Sequence, residues 1–526
     1  MDRPVSFIPL RTTDPLEDDF LDVPTTPSSS SSSSKLTRLN GLALVISLQI
    51  GSGIFTAPSQ VSQHVPNPGS GLLVWLLGGL LVWTGAASFI ELGLRVPGNG
   101  GIQEYLRTCY GDAWGFLFTF MWCALAKPAA NAIISTIFAD YLLSSFLETH
   151  SPLAVKGLAL LCIVGITTVN CLGSTAGAKA ANLFLVLKLA ALGGVVVIGG
   201  VTWAWGYGEG VPLSDDGWFG IPAEEDMVIW SSAGLGNVAT ALFGALFCYG
   251  GWETVGFVLG DMRDPEGDLP VVINGAMATV ITGFCLMNAA TYVCLPWQVI
   301  RGSSTVAVEF ARRTLGSWGA LAFSVAVSIS AMGALNANVF ATAKLCVAAA
   351  QRTYFPAILA NLHVPFAGDE ALYLDRKLRF LPAPVRGAVV GFANMTRELR
   401  WRRAVPIYAL IMNGLMASFY VLIGSFNGLV TFIGLAEYFF FLLSVIGLLV
   451  LRQRSGLDPK YRTWTGNPVI FTVVSGLLIL RGLLTEPLQG FAIAAAGVLG
   501  LAVFYWNSKR NGLPGPSPMT VMMPVP

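Results

Sequence analysis

Two stretches of the chain combine residue types that can hold a small ligand. The first is Gln49-Ile50-Gly51-Ser52-Gly53-Ile54-Phe55, inside an apolar run. The second is Phe247-Cys248-Tyr249-Gly250-Gly251-Trp252-Glu253, near the middle of another. Glycine in a helix interior costs about 1 kcal/mol relative to alanine. In lipid an unwound backbone also leaves N–H and C=O groups without water, so a break survives only where it lines a cavity or is buried in protein. Close helix packing through small residues is the bland reading of either stretch alone. Two interruptions at corresponding places in two halves point instead to a ligand site at mid-membrane, built from freed backbone groups. The second half-helix of the first stretch begins near Gly53. Its N–H groups and positive dipole end suit an anion such as a carboxylate, and glycine lets it come close. Gly51, Ser52, Gly53 and Ile54 are therefore one candidate wall. The carbonyls released near Phe247, Cys248, Tyr249 and Gly250 suit an ammonium group.

Three ionisable residues lie in apolar surroundings and call for a function. Lys188 sits in Val186-Leu187-Lys188-Leu189-Ala190-Ala191. A lysine at that depth is costly and marks a functional position by default. It either exchanges a proton during transport or braces spans one, five and eight as a fixed cation. Glu253 follows the second break, and Glu437 lies in Leu435-Ala436-Glu437-Tyr438-Phe439. The two acids could receive a cationic side chain, carry a proton, or pair with Lys127 or Lys188. Pairing ranks first because an unpaired charge in a membrane is expensive. Ser330 and Asn336 are possible polar contacts, with hydrogen bonding between helices as the equal alternative.

These residues need a membrane scaffold, and composition supplies one. The 526 residues are 54% hydrophobic and only 12% charged, against about a quarter charged in soluble proteins. Apolar runs of spanning length recur along the chain. We expect an all-α polytopic membrane protein of twelve spans, at about 40–63, 71–95, 113–146, 154–173, 180–204, 234–260, 272–297, 317–350, 404–425, 428–451, 467–485 and 487–508. The breaks fall in spans one and six, so two five-span halves repeat with inverted orientation. Residues 1–39 hold a seven-serine run and read as a disordered cytoplasmic tail. Residues 40–508 form the transmembrane domain, with a cytoplasmic insertion at about 352–403, and 509–526 form a second cytoplasmic tail. Most of the 31 Lys and Arg residues fall on the cytoplasmic side of this arrangement, whereas the acidic link with Asp215, Asp216, Glu224, Glu225 and Asp226 falls outside, as the positive-inside rule requires. The Asn394-Met395-Thr396 sequon should then stay unglycosylated.

Composition also excludes alternatives. A net charge of +1 leaves no nucleic-acid footprint. The eight cysteines show no paired CxxC spacing and read as core residues, not a metal site. His64, His150 and His363 are scattered in or near loops, so neither a metal centre nor an enzyme is indicated, and no cofactor is implied. Isolated polar residues argue against a channel pore.

The motifs resemble those of the amino acid–polyamine–organocation superfamily. Gly51-Ser52-Gly53-Ile54-Phe55, Glu91-Leu92-Gly93 and Gly100-Gly101 carry that likeness. Phe247-Cys248-Tyr249-Gly250-Gly251-Trp252 with Pro265, Leu269 and Pro270, and Gly333-Ala334-Leu335-Asn336-Ala337-Asn338-Val339-Phe340, resemble the L-type amino acid transporter branch. In style the chain is similar to fungal, methionine-permease-like members. The resemblance implies a LeuT-type 5+5 inverted-repeat fold and alternating access for an amino acid in the lipid bilayer, by proton symport or exchange, in the plasma membrane first and the vacuolar membrane second. It implies that Phe247 gates the substrate and that Lys188 stands where sodium binds in sodium-coupled relatives. It also places Glu253 and Glu437 near the substrate side chain, where mammalian relatives often carry asparagine. A neutral L-amino acid ranks first. A cationic amino acid or polyamine, or a non-transporting receptor of the same fold, is the alternative. Mammalian members bond a heavy chain through a loop cysteine between spans three and four. The loop Glu148-Thr149-His150-Ser151-Pro152-Leu153 has none, so no disulfide-linked partner is expected.

Overall fold

The computed structural model describes residues 38–51, 53–96, 100–147, 151–171, 176–210, 218–220, 232–257, 259, 262–360, 406–424, 426–454, 461–485 and 487–511. Ser52, the expected tails apart from their innermost residues, the sequon and most of the 352–403 link lie outside them. The described residues are carried by helices, with no β-strand among them. Nine of these helices are long and apolar enough to cross a membrane, and a bent pair makes a tenth candidate. The pair is Gly41–Gln49 with Gly53–Gln63, bent by 45°. Two further apolar helices, Gly236–Cys248 and Ile407–Ile423, are shorter. Each of the twelve expected spans therefore falls on an apolar helix, but only ten have spanning length. The sixth is short because its helix stops at the break. The ninth has 17 residues, about 25 Å at 1.5 Å per residue, against a hydrocarbon core of about 30 Å.

Local sequence explains the ends of these helices. Asn67 accepts from the Ser70 N–H at 2.8 Å and starts span two, Pro68–Arg95, with proline in the first turn. Asp264 caps span seven, Pro265–Cys294, in the same way. Gly316, at φ +76°, separates a short helix beginning at Val306 from span eight, which ends at Gln351. Span three, Asp112–Ser144, contains a π-helical turn over Trp122–Ala126. Pro128 follows one residue later and has no N–H to continue the α-helical ladder. Such turns are frequent at functional positions.

The packing pairs each of the first four spans with its counterpart five spans later. The second half of span one lies against span six, span two against span seven, span three against span eight, and span four (Pro152–Cys171) against span nine. Two inverted halves meeting about an axis in the membrane plane would bring these same pairs together. Span eleven, Gly466–Thr485, packs on spans two and ten, and span twelve, Pro487–Asn511, on the start of span three.

Polar links fix the bundle where apolar packing against lipid cannot. Asn338 of span eight donates to Asn131 of span three at 2.7 Å, and Asn131 donates to Asn413 of span nine at 2.7 Å. The Tyr141 hydroxyl donates to the Phe55 carbonyl at 2.7 Å and holds span three to the second half of span one. At the other end of span two, Glu91 is fully buried. It accepts from Arg95 and Arg452 at 3.0 Å each and from the Thr463 N–H at 3.0 Å. One acid thus ties spans two and ten to the segment leading into span eleven.

Candidate functional site

Span one stops at Gln49. The chain turns through Ile50 and Gly51, where the Gly51 N–H reaches the Gln49 carbonyl at 2.8 Å, and a new helix starts at Gly53. Span six, Ser232–Cys248, stops likewise; Tyr249, Gly250 and Gly251 form a turn, and a 3-10 helix runs over Trp252–Phe257. Gly251 has φ +106°, a conformation that a Cβ would strain. Both helices are therefore interrupted where the sequence predicts.

The breaks are pressed together. A Cβ on Gly53 would lie 3.2 Å from the Phe247 ring and 3.3 Å from the Cys248 sulfur. A Cβ on Gly251 would lie 3.0 Å from the Leu48 backbone. Gln49 bridges them, its Nε2 donating to the Tyr249 carbonyl at 3.2 Å. Glycines at both breaks permit this approach, and the glutamine gives an unwound carbonyl its partner.

Between the breaks lies a cavity of about 130 Å³. Gly51, Gly53, Ile54, Phe247, Cys248, Gly250, Glu253, Glu437 and Lys188 of the sequence-predicted set line it. Ser52 lies outside the described residues. Three predicted residues do not line it. Tyr249 is fully buried on the far side of its turn, its hydroxyl donating to the Trp75 carbonyl at 3.0 Å and its ring packed on Trp75 and Phe284. Asn336 accepts from Asn170 of span four at 2.7 Å, so it serves helix packing. Ser330 is buried in span eight away from the cavity. Sequence reasoning did not select Gln49, Thr254 or Asn338, which do line it. A polar residue next to each glycine pair was the available signal for Gln49 and Thr254.

The charged residues of the wall are Lys127, Lys188, Glu253 and Glu437, and their formal charges cancel. Lys188 donates to the Ser47 carbonyl at 3.3 Å, in the last turn before the first break. Glu253 accepts from the Gly251 N–H at 2.8 Å, which satisfies a donor freed by the second break. Lys127 directly follows the π-helical turn, and its Nζ lies 3.5 Å from Glu253 Oε1 and 3.8 Å from Glu437 Oε1. Of the three roles open to the two acids, the structure displays pairing, with Lys127 as partner. Trp252, next to Glu253 in the chain, is buried, with Phe89 edge-on to its ring at 4.8 Å and Phe441 tilted against it at 5.3 Å.

A second cavity, of about 380 Å³, runs along the other half of span one past Thr56, Gln60, Asp140 and Ser304. It is larger, but neither helix break contributes to it. The chemistry that can grip opposite charges belongs to the smaller cavity.

Comparison with known proteins places this geometry. A family model described as amino acid permease matches residues 36–506. The human b(0,+)-type amino acid transporter 1 is 26% identical over 485 residues, covering 91% of this chain and 89% of that protein. The human cystine/glutamate transporter is 26% identical, covering 90% and 86%. The mouse large neutral amino acids transporter small subunit 2 is 25% identical, covering 90% and 81%. With two broken helices around one charge-balanced cavity and a family model matched over most of its length, the chain belongs to the amino acid permease family.

Proposed function

We propose that the protein moves neutral L-amino acids across a membrane by alternating access, as a proton symporter or an exchanger. The observation that carries this reading is that both helix breaks open on one cavity whose charges cancel. Helix N-terminal N–H groups at Gly53 meet the substrate carboxylate, and carbonyls from the end of the first part of span six meet the ammonium. A zwitterion brings no net charge into such a cavity. A cationic amino acid would bring one, and the two acids already share Lys127.

Size points the same way. A cavity of about 150 Å³ accepts one benzene molecule, and alanine has as many non-hydrogen atoms as benzene. The cavity of about 130 Å³ therefore suits a small neutral amino acid in this conformation. Phe247, on its wall, gates the bound molecule. The Lys188 ammonium takes the Ser47 carbonyl, an oxygen that could otherwise coordinate a coupling cation.

The acids favour one second reading, a cationic amino acid or polyamine as substrate. The bias of Lys and Arg toward one side supports cytoplasmic placement of both termini. The absence of cysteine from the loop between spans three and four supports a permease that works without a disulfide-linked partner. We place it in the plasma membrane, and no step calls for catalysis.

Purified protein in liposomes tests this. Uptake of labelled alanine is measured against each unlabelled amino acid, with and without a pH gradient. Small neutral amino acids should compete and lysine, arginine and putrescine should not. Competition by the cationic compounds alone would install the second reading; binding without flux would make the protein a receptor.

A further inference from the structure

Lys127 stands where a substrate's cationic side chain would have to go. Glu253 and Glu437 come from different spans and converge on its ammonium, which also lies 4.9 Å over the Trp122 ring. Two carboxylates and an indole face are the chemistry that recognises an alkylammonium ligand. All three charged groups lie on the cavity wall. The contacts of 3.5 and 3.8 Å are longer than charge-assisted hydrogen bonds, about 2.7–2.9 Å, so the ammonium sits beside the acids without being locked to them. Glu253 does not depend on it for position, because the Gly251 N–H holds its other oxygen at 2.8 Å.

We propose that Lys127 is a built-in occupant of a cation subsite, and that it makes the permease reject amino acids with cationic side chains. The proposal rests on the neutral amino acid reading above and names the residue that sets its selectivity. The ammonium supplied by the protein satisfies the buried Glu253 carboxylate and the partly buried Glu437 carboxylate in every turnover. A lysine or arginine substrate would have to displace it, leaving an unpaired charge in the membrane at either place. Without Lys127, the substrate's own side chain can complete the cluster.

The test compares wild type with Lys127→Met in proteoliposomes, reading the ratio of arginine to alanine uptake. A charge-assisted pair gained by arginine should raise that ratio at least about ten-fold. The triple variant Lys127→Met, Glu253→Gln, Glu437→Gln should lose the gain. A second readout needs no transport: n-butylammonium should raise the melting temperature of detergent-purified Lys127→Met and leave wild type unmoved. If Lys127→Met does not fold alone, n-butylammonium during purification must recover it. An unchanged arginine ratio with no butylammonium shift overturns the proposal, as does failure of butylammonium to recover a misfolded variant. Should wild type move no amino acid, the functional reading falls, and the butylammonium shift still decides this one.

Discussion

Alanine at three glycines of the helix breaks separates packing from ligand binding. At Gly251 an added Cβ meets φ +106° and lies 3.0 and 3.1 Å from the Leu48 carbonyl carbon and oxygen, which are backbone and cannot step aside. Backbone strain of this kind costs about 1–3 kcal/mol and overpacking about 1–3 kcal/mol more. Gly251→Ala should therefore lose about 2–6 kcal/mol, a large part of ordinary protein stability of about 5–15 kcal/mol. At Gly53 the obstacles are the Phe247 ring at 3.2 Å and the Cys248 sulfur at 3.3 Å, both side chains that can shift by a few tenths of an ångström. Gly53→Ala should cost about 1–3 kcal/mol. At Gly51 the nearest atom to a Cβ is the Gly53 nitrogen, 3.9 Å away, so the methyl has room. Gly51→Ala should fold as well as wild type, or better by about 0.4–1 kcal/mol through the unfolded chain. Yet that methyl stands on the cavity wall where we place the substrate carboxylate. Melting in detergent should rank the variants Gly251→Ala, Gly53→Ala, Gly51→Ala from least to most stable. Proteoliposome uptake should fall at least about ten-fold in Gly51→Ala without any loss of stability. Normal uptake by Gly51→Ala would remove the carboxylate from this break, and a Gly251→Ala protein as stable as wild type would refute the argument from conformation.

Three further outcomes follow from the polar links. Asn131→Ala leaves Asn338 Nδ2 and Asn413 Oδ1 without the partners they have now, at about 1–3 kcal/mol for each orphaned group; a lowered melting temperature checks it. Arg452→Met strips the buried Glu91 carboxylate of one of its two guanidinium groups and should cost about 3–5 kcal/mol, with Glu91→Gln added on top recovering part of the loss. Because the Lys188 ammonium already sits against the Ser47 carbonyl, replacing sodium by choline should leave uptake unchanged, and a sodium-dependent rate would show that a second cation finds room there.

The breaks were legible because glycine pairs in apolar runs contradict both helix propensity and the need to satisfy backbone groups in lipid. Which way a residue points was not. Tyr249 and Gly250 are neighbours in one turn, yet one lines the cavity and the other packs on Trp75. Asn336 and Asn338 sit two positions apart in span eight, so they face different neighbours, span four for the first and span three for the second. A helix apolar on every side offers no polar stripe from which to read its rotation. The ninth span shows a related limit: its apolar run is legible, but the proline that starts its helix after residue 405 leaves it shorter than the bilayer core.

The ionised cluster follows from the break as a chain of needs. Interrupting span six frees the Gly251 N–H, and in lipid that donor requires a partner. Glu253 supplies one, at 2.8 Å, which places a carboxylate in the membrane. The carboxylate requires a counter-charge, and Lys127 supplies it at 3.5 Å. Lys127 is brought to that place by a span that winds through a π-helical turn just before it, next to a proline that cannot continue the ladder. Glu437 then joins from span ten, so that spans three, six and ten share one electrostatic contact on the cavity wall. Any movement of the half-helix after the break must stretch that contact or carry Lys127 with it. On the function and the selectivity proposed above, recognition of the substrate side chain and the motion that opens the cavity would rest on the same few groups.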